Sequence, residues 1–378
     1  MSLKLLSVFG TRPEAIKMAP VVKQLAASPF VECKVAVTAQ HRQMLDQVLE
    51  LFDIQPDYDL DIMKSNQDLF DVTSRVMLGL RDVLKDCKPD IVLVHGDTTT
   101  CFAAGLAAFY LQIPVAHVEA GLRTGDMKAP FPEEANRSLV GRIADFHFAP
   151  TETAKNNLLA EGIDPKKIWV TGNTVIDALL EVQQKLPSYN THDWAPKLPI
   201  TISEKINNKP SRFILITGHR RENFGEGFVN FCSALKAIAE QHPDWLLVYP
   251  VHLNPNVQKP VFDMLGEYSN IHLIDPQDYL PFVWLLDKCD LVITDSGGIQ
   301  EEAPSLGKPV LVTRDVTERP EAVDAGTVIL VGTSKDKIIN TATSILTDTT
   351  KYEAMSAAHN PYGDGKASNR ILKTLVSQ

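Results

Sequence analysis

The chain has 378 residues, a formal net charge of −10, and 44% hydrophobic and 22% charged side chains. Its length predicts two domains of about 150 residues each, with a large core. The acidic balance excludes non-specific binding to nucleic acid, which needs a basic field, but leaves room for a small anion held by a local cluster of arginines.

Short β-rich apolar runs recur along the chain, each followed by a turn and a helical pattern. The first series is "KLLSVFG", "CKVAVTA", "DIVLVHGD", "IPVAHVEAG", "FHFAPT" and "IWVTGN". The second is "RFILITGH", "WLLVYPVH", "NIHLIDP", "DLVITDSGG", "KPVLVTRD" and "TVILVG". Runs apolar on both faces with helices between them predict parallel strands in a doubly wound α/β sheet. The Pro-, Asn-, Ser- and Lys-rich stretch from Pro187 to Pro210 separates the two series and reads as part of an interdomain connection. The series also echo each other in order. "LLSVFGTR" answers to "ILITGHR", "PDIVLVHGDTTT" to "CDLVITDSGG", and "IPVAHVEAGLRTGD" to "KPVLVTRDVTERPE". The predicted fold is therefore α/β, with two Rossmann-like doubly wound domains facing a central cleft. Ligands of such sheets bind beyond the carboxyl ends of the strands, where every polar signature of this chain falls.

Cys33, Cys87, Cys101, Cys232 and Cys289 are scattered, odd in number and without a CxxC pair, so neither a disulfide framework nor a metal site is expected. No apolar run approaches the roughly 20 residues of a membrane span, and "MSLKLLSVFG" is too short for a signal peptide. A cytoplasmic protein without membrane or nucleic-acid partners is expected.

Several strand ends carry chemistry. "VFGTRPEAIKMAP" places Gly10 in a turn and Pro13 in the first turn of a helix, with Arg12 at its entrance and Lys17 one turn in. That pair fits either a phosphate site or an ordinary solvated surface. "VHGDTTT" leaves Asp97 as a helix N-cap or a reactive carboxylate. From His117 to Arg137, "HVEAGLRTGDMKAPFPEEANR" sets Glu119, Asp126, Glu133 and Glu134 among Arg123, Lys128 and Arg137, and its prolines and glycines predict no regular helix or strand. "TGHRREN" puts His219, Arg220 and Arg221 at a strand end, in a phosphate-contacting or proton-handling role. In "TDSGGIQEE", Ser296, Gly297 and Gly298 open a helix where backbone N–H groups can meet a pyrophosphate, and Glu302 can accept ribose hydroxyls. There is no GxGxxG, so a nicotinamide cofactor gains no support.

Taken together, "FGTRPEAIKMAP", "TAQHRQMLDQ", "VHGDTTT", "HVEAGLRTGD", "PEEANR", "TGNTVIDAL", "GHRREN", "YPVHLNPNV", "TDSGGIQEEAPSLGKPVL", "TERPEA" and "NPYGDG" are specific. Over nearly its whole length the chain resembles the non-hydrolysing UDP-N-acetylglucosamine 2-epimerases of bacteria. The resemblance implies the GT-B-like pairing of two Rossmann domains. The first spans 1–172 and is joined by a returning helix over about 364–378; the second spans 173–363.

The implied reaction interconverts UDP-N-acetylglucosamine and UDP-N-acetylmannosamine by elimination of UDP to 2-acetamidoglucal and re-addition, without a cofactor. The implied catalytic residues are Asp97, Glu119, Glu133 and His219, with Asp126 and Glu134 left to loop structure. Substrate would meet Arg12, Lys17, Gln277, Phe282, Ser296, Gly297, Gly298, Glu302 and Arg319, with Phe282 against uracil. A second, activating UDP-N-acetylglucosamine site is implied at Gln40, Gln43, Gln67, Arg220 and His252, where Asn66 replaces an arginine of some members. A homodimer serving cell-surface polysaccharide synthesis is implied too. The glycosyltransferase alternative shares fold and nucleotide site but needs an acceptor groove. A non-catalytic nucleotide-sugar sensor would not need the three carboxylates together. No appended sugar-kinase domain, as in some hydrolysing relatives, is expected.

Overall fold

Every apolar run singled out above forms a strand. The computed structural model describes the chain except residues 1, 40, 41, 65, 191–193, 195–197, 221, 222 and 378. It divides into unit 1, residues 1–178 with 362–378, and unit 2, residues 179–361.

Unit 1 opens with β1 (Leu3–Phe9), α1 (Arg12–Ala26), β2 (Val31–Val37), α2 (Arg42–Leu51), β3 (Tyr58–Asp59) and α3 (Leu69–Cys87). It continues through β4 (Ile91–His95), α4 (Thr99–Tyr110), β5 (Val115–Val118), α5 (Glu133–Ile143), β6 (Phe146–Ala149), α6 (Glu152–Ala160) and β7 (Ile168–Val170). The division between units falls inside α7 (Thr174–Lys185).

Unit 2 holds α8 (Ile200–Asn207), β8 (Arg212–Ile216), α9 (Glu226–Gln241), β9 (Trp245–Pro250), α10 (Pro255–Leu265) and β10 (Ile271–Ile274). Then come α11 (Tyr279–Lys288), β11 (Leu291–Thr294), α12 (Gly297–Ser305), β12 (Val310–Val312), α13 (Pro320–Asp324), β13 (Val328–Leu330), α14 (Lys335–Thr347) and α15 (Thr349–Ser356). Finally α16 (Ala367–Val376) returns to unit 1.

Both sheets are parallel. Unit 1 has the order β3-β2-β1-β4-β5-β6-β7, and unit 2 the order β10-β9-β8-β11-β12-β13. Counted from each unit's first strand the two orders agree, which is the structural form of the echo in the sequence. All five residues of β4 and all four of β11 are buried, as strands covered by helices on both faces require. The strand order reverses between β1 and β4, and again between β8 and β11, so each unit has a crevice at those carboxyl ends.

Three local features differ from expectation. β3 is only two residues at a sheet edge, too short to leave a periodic pattern. The polar stretch 187–210 lies wholly within unit 2 and contains α8, which buries Ile202, Ser203 and Ile206 on one face; the change of unit comes earlier, within α7. The loop beginning at Glu119 is irregular only as far as Pro132. Glu133 then starts α5, with Glu133 and Glu134 in its first turn, where carboxylates suit the helix dipole.

The returning helix α16 packs against α1. Its first turn is capped from a distance, because the Asp177 carboxylate accepts from Ala367 N at 3.2 Å and Ser368 N at 2.8 Å. Among the described residues no helix is long and apolar enough to cross a membrane, and no group of three or more His, Cys, Asp or Glu is placed to hold a metal. The five cysteines are free.

Candidate active site

The crevice of unit 1 begins at Gly10. A Cβ there would sit 1.9 Å from Thr38 Oγ1 and 2.6 Å from Thr100 Oγ1, so close approach rather than backbone conformation demands glycine. The next residues form a capping box in which Glu14 Oε2 accepts from Thr11 N at 2.8 Å and Gly10 N at 3.0 Å. Its other oxygen accepts from Thr98 Oγ1 at 2.5 Å, tying the turn after β1 to the turn after β4. Glu14 is buried, and burial raises its carboxyl above the usual range against those hydrogen bonds.

That link bears on Asp97. The N-cap of α4 is Thr98, whose Oγ1 accepts from Cys101 N at 3.0 Å. The Asp97 carboxylate is therefore not engaged in capping. It is 30% exposed and lies 3.4 Å from Arg137 Nη2, while Asn136 Nδ2 holds its backbone oxygen at 2.9 Å. Burial raises the Asp97 carboxyl; the Arg137 charge opposes this, and the charges of Glu119 and Glu133 add to it.

Glu119 stands just past β5 with φ +62°, a left-handed conformation uncommon outside glycine. Its Oε2 is ion-paired with Lys17 Nζ and accepts from Asn173 Nδ2 at 2.9 Å. His95 Nε2 lies 3.9 Å from the same oxygen, and burial lowers that imidazole to about 4, so it is neutral at pH 7. Glu133 is half-buried at the start of α5. Its neighbour Glu134 is buried and holds the loop, accepting from Thr124 N and Gly125 N, each at 3.0 Å. Asp126 accepts from Lys128 N at 2.9 Å. The structure thus gathers Asp97, Glu119, Glu133 and Lys17 at one strand-end crevice. Arg12, at the entrance of α1, is half-buried and makes no side-chain ion pair with the described residues.

In unit 2 the corresponding crevice is organised by Asp295, which is fully buried. Its Oδ2 accepts from His219 N and Arg220 N, both at 2.8 Å, and its Oδ1 lies 3.5 Å from His219 Nδ1. The His219 ring stacks on His252 with centroids 5.0 Å apart. Burial lowers the His219 imidazole below its ordinary value, although the Asp295 charge pulls the other way.

Ser296 is the N-cap of α12 without a side-chain capping bond, and Gly297 and Gly298 form its first turn with φ outside the left-handed region. A Cβ on Gly298 would meet nothing within 4 Å, so there is open space over this helix N-terminus. The geometry there suits an anion. Arg319 lies beside Gly297 and is ion-paired with the buried Glu301. Glu302 accepts from the buried Tyr279 hydroxyl at 2.9 Å. Phe282, one turn further along α11, stays half-exposed while Pro281 and Val283 beside it are buried. Gln277 is buried, with Nε2 donating to Asp275 O at 2.6 Å.

Of the residues named for an activating site, Gln43 and Gln67 belong to unit 1 and Arg220 and His252 to unit 2. Gln43 is exposed on α2. Gln67 is turned inward on its own loop, accepting from Lys64 N at 2.7 Å and donating to Ile62 O at 2.8 Å. Arg220 and His252 flank His219. Gln40 and Arg221 lie outside the described residues.

Glu14, His95, Asn173, Tyr279 and Asp295 were not assigned a role from sequence. For Glu14 a signal existed, the T-x-x-E spacing of a capping box. His95, Asn173 and Asp295 sat inside quoted motifs and Tyr279 in none, and their partners lie elsewhere in the chain.

These features define the class: a two-unit α/β protein of doubly wound sheets, with a group of carboxylates at the strand ends of one unit and an open helix N-terminus at those of the other. A model of the UDP-N-acetylglucosamine 2-epimerase family matches residues 23–376. The chain belongs to that family. The UDP-N-acetylglucosamine 2-epimerase of Escherichia coli strain K12 is 60% identical over 375 residues, covering 99% of this chain and 98% of that one. The Neisseria meningitidis UDP-GlcNAc 2-epimerase, solved bound to UDP-GlcNAc, is 54% identical with a TM-score of 0.88 over the whole of both chains. That of Methanocaldococcus jannaschii, solved with UDP-GlcNAc and UDP, is 35% identical with a TM-score of 0.80, again over both chains entire.

Proposed function

We propose that this chain is a non-hydrolysing isomerase that interconverts UDP-N-acetylglucosamine and UDP-N-acetylmannosamine, by elimination and re-addition of UDP. The hydrogen at sugar carbon 2 has no carbonyl beside it in the ring, so direct abstraction is unfavourable. Breaking the bond from carbon 1 to the diphosphate oxygen, with loss of the carbon 2 proton to a base, gives 2-acetamidoglucal and UDP. Protonation of carbon 2 from the other face and re-addition of UDP at carbon 1 completes the inversion. The steps need a proton acceptor, a proton donor and donors for the departing diphosphate.

One observation carries the reading: the charges of Glu119 and Glu133 both act on the Asp97 carboxyl, and neither Asp97 nor Glu133 caps a helix. Glu119 faces the Lys17 ammonium and an amide donor, the company of a carboxylate that starts ionised. Asp97, raised by burial, is fitted to hold a proton. In unit 2 the start of α12, with His219 and Arg319, would serve the diphosphate, Glu302 the ribose, and Phe282 and Gln277 the base; from unit 1, Arg12 would add a cation.

On the same reading the protein is a cytoplasmic homodimer supplying N-acetylmannosamine units for surface polysaccharide. Exposed Phe70 on α3, and Phe109 and Tyr110 on α4, which packs on α3, support an interface there. Incubation with UDP-N-acetylglucosamine alone is expected to give UDP-N-acetylmannosamine, with traces of UDP and 2-acetamidoglucal on long standing. Turnover only when a sugar acceptor is added would replace this reading with glycosyl transfer.

A further inference from the structure

We infer that Asn173 is the positioning residue of Glu119, and that the returning C-terminal segment sets Asn173 in place. The inference rests on the proposed role of Glu119 as a reacting carboxylate. Glu119 has a left-handed backbone at the head of a long irregular loop, so its own chain does little to fix the carboxylate. Among the described residues, Lys17 ion-pairs with it and Asn173 donates to it through Nδ2 at 2.9 Å.

The Asn173 amide can point only one way. Its Oδ1 accepts from Val175 N at 3.1 Å, which leaves the NH2 group as the end that faces Glu119. Asn173 is buried, and its backbone N donates to Tyr362 O at 2.7 Å. Tyr362 is buried too, and Gly172 meets Gly363 so closely that a Cβ on Gly172 would lie 3.4 Å from both Gly363 Cα and Tyr362 O. Asp177 and Arg370 then tie α16 to the segment after β7. A residue that reaches Glu119 is therefore held both by the helix start beside it and by the C-terminal segment. Lys17 brings charge without direction; the Asn173 N–H brings direction.

The test compares Asn173→Asp, Asn173→Ser and Glu119→Gln in the full chain. Asn173→Asp keeps an oxygen for Val175 N but sets a second carboxylate against Glu119. Asn173→Ser keeps a cap and cannot reach Glu119. Both are expected to leave UDP affinity unchanged and to lower the kcat of the folded enzyme about tenfold or more, the effect of losing one hydrogen bond to a charged group. Asn173→Asp, which buries a second charge beside Glu119, should lower the melting temperature as well. Asn173→Asp should also move the acid limb of the kcat–pH profile to higher pH, which a merely structural role would not do. Full activity in Glu119→Gln would sink the functional reading itself. An inactive Glu119→Gln beside an Asn173→Asp variant with parental kcat and an unmoved profile would overturn this inference alone. So would a kcat that falls only in step with the folded fraction.

Discussion

Asp97 and Asp295 occupy the same place in the two units, each just before the N-cap of the helix that follows the fourth strand, yet they do different things. Asp295 is fully buried, and one of its oxygens takes the N–H groups of His219 and Arg220. Asp97 is 30% exposed and bonds none of the N–H groups of the turn after β1. There Glu14 takes the N–H groups of Gly10 and Thr11. Topology decides where a carboxylate stands. Its availability for chemistry depends on which neighbour satisfies the nearby backbone donors, since buried N–H groups must be paired. Unit 1 satisfies them with Glu14 and leaves Asp97 open, whereas unit 2 uses Asp295 and presents glycine and histidine instead.

The largest effect that would sharpen this contrast is on turnover. Asp97→Asn, Glu119→Gln or Glu133→Gln should each lower kcat by about two orders of magnitude or more, with UDP affinity and melting temperature unchanged. Asp295→Ala should do the reverse in kind, costing about 1–3 kcal/mol of stability by orphaning two part-buried N–H groups, and weakening UDP binding. Steady-state kinetics, calorimetric titration with UDP and thermal melts read all three. A parental kcat in Glu133→Gln would remove that residue from the mechanism, and a melting loss in Asp97→Asn equal to that of Asp295→Ala would erase the contrast.

Next in size is acid stability. His95, His117 and His147 lie on adjacent strands of unit 1, and burial lowers them from 6.5 to about 4, 3 and 4. A lowered imidazole binds fewer protons folded than unfolded. Its contribution is thus complete above pH 6.5 and drains as pH falls toward 4, at about 1.4 kcal/mol per pKa unit. In unit 2, His219 and His272 are lowered as well but only half-buried. Hydrogen exchange across pH 6.5 to 4 should show unit 1 opening before unit 2; the opposite order would contradict the comparison.

The smallest effect concerns regulation. We propose that a second nucleotide-sugar site makes initial rates sigmoidal, and that Gln43→Ala flattens the curve with little change in kcat, because Gln43 is exposed on α2, a helix that carries none of the three strand-end carboxylates. Hyperbolic rates in the parent would reject the regulatory site and leave the epimerase intact.

Much of the fold could be read from sequence because buried parallel strands leave continuous apolar runs, and the two series repeat in order. α8 escaped because Ile202 and Ile206 are a single helical pair in a stretch rich in Pro and Asn. Candidate carboxylates could be named, since strand-end motifs are local. Their partners could not: Lys17 and Glu119 are 102 positions apart, and Asn173 and Glu119 are 54 apart. Local pattern also could not tell that Thr98 rather than Asp97 caps α4, because both residue types cap well.

The central claim is that the carbon 2 hydrogen leaves as a proton to a side chain and is replaced by one that exchanges with water. Epimerisation in deuterium oxide, followed by mass spectrometry of the product sugar, tests it most directly. The account requires deuterium at carbon 2 of the UDP-N-acetylmannosamine formed. Protium retained at that carbon would mean the hydrogen never left for the carboxylates of unit 1, and the elimination route would be wrong.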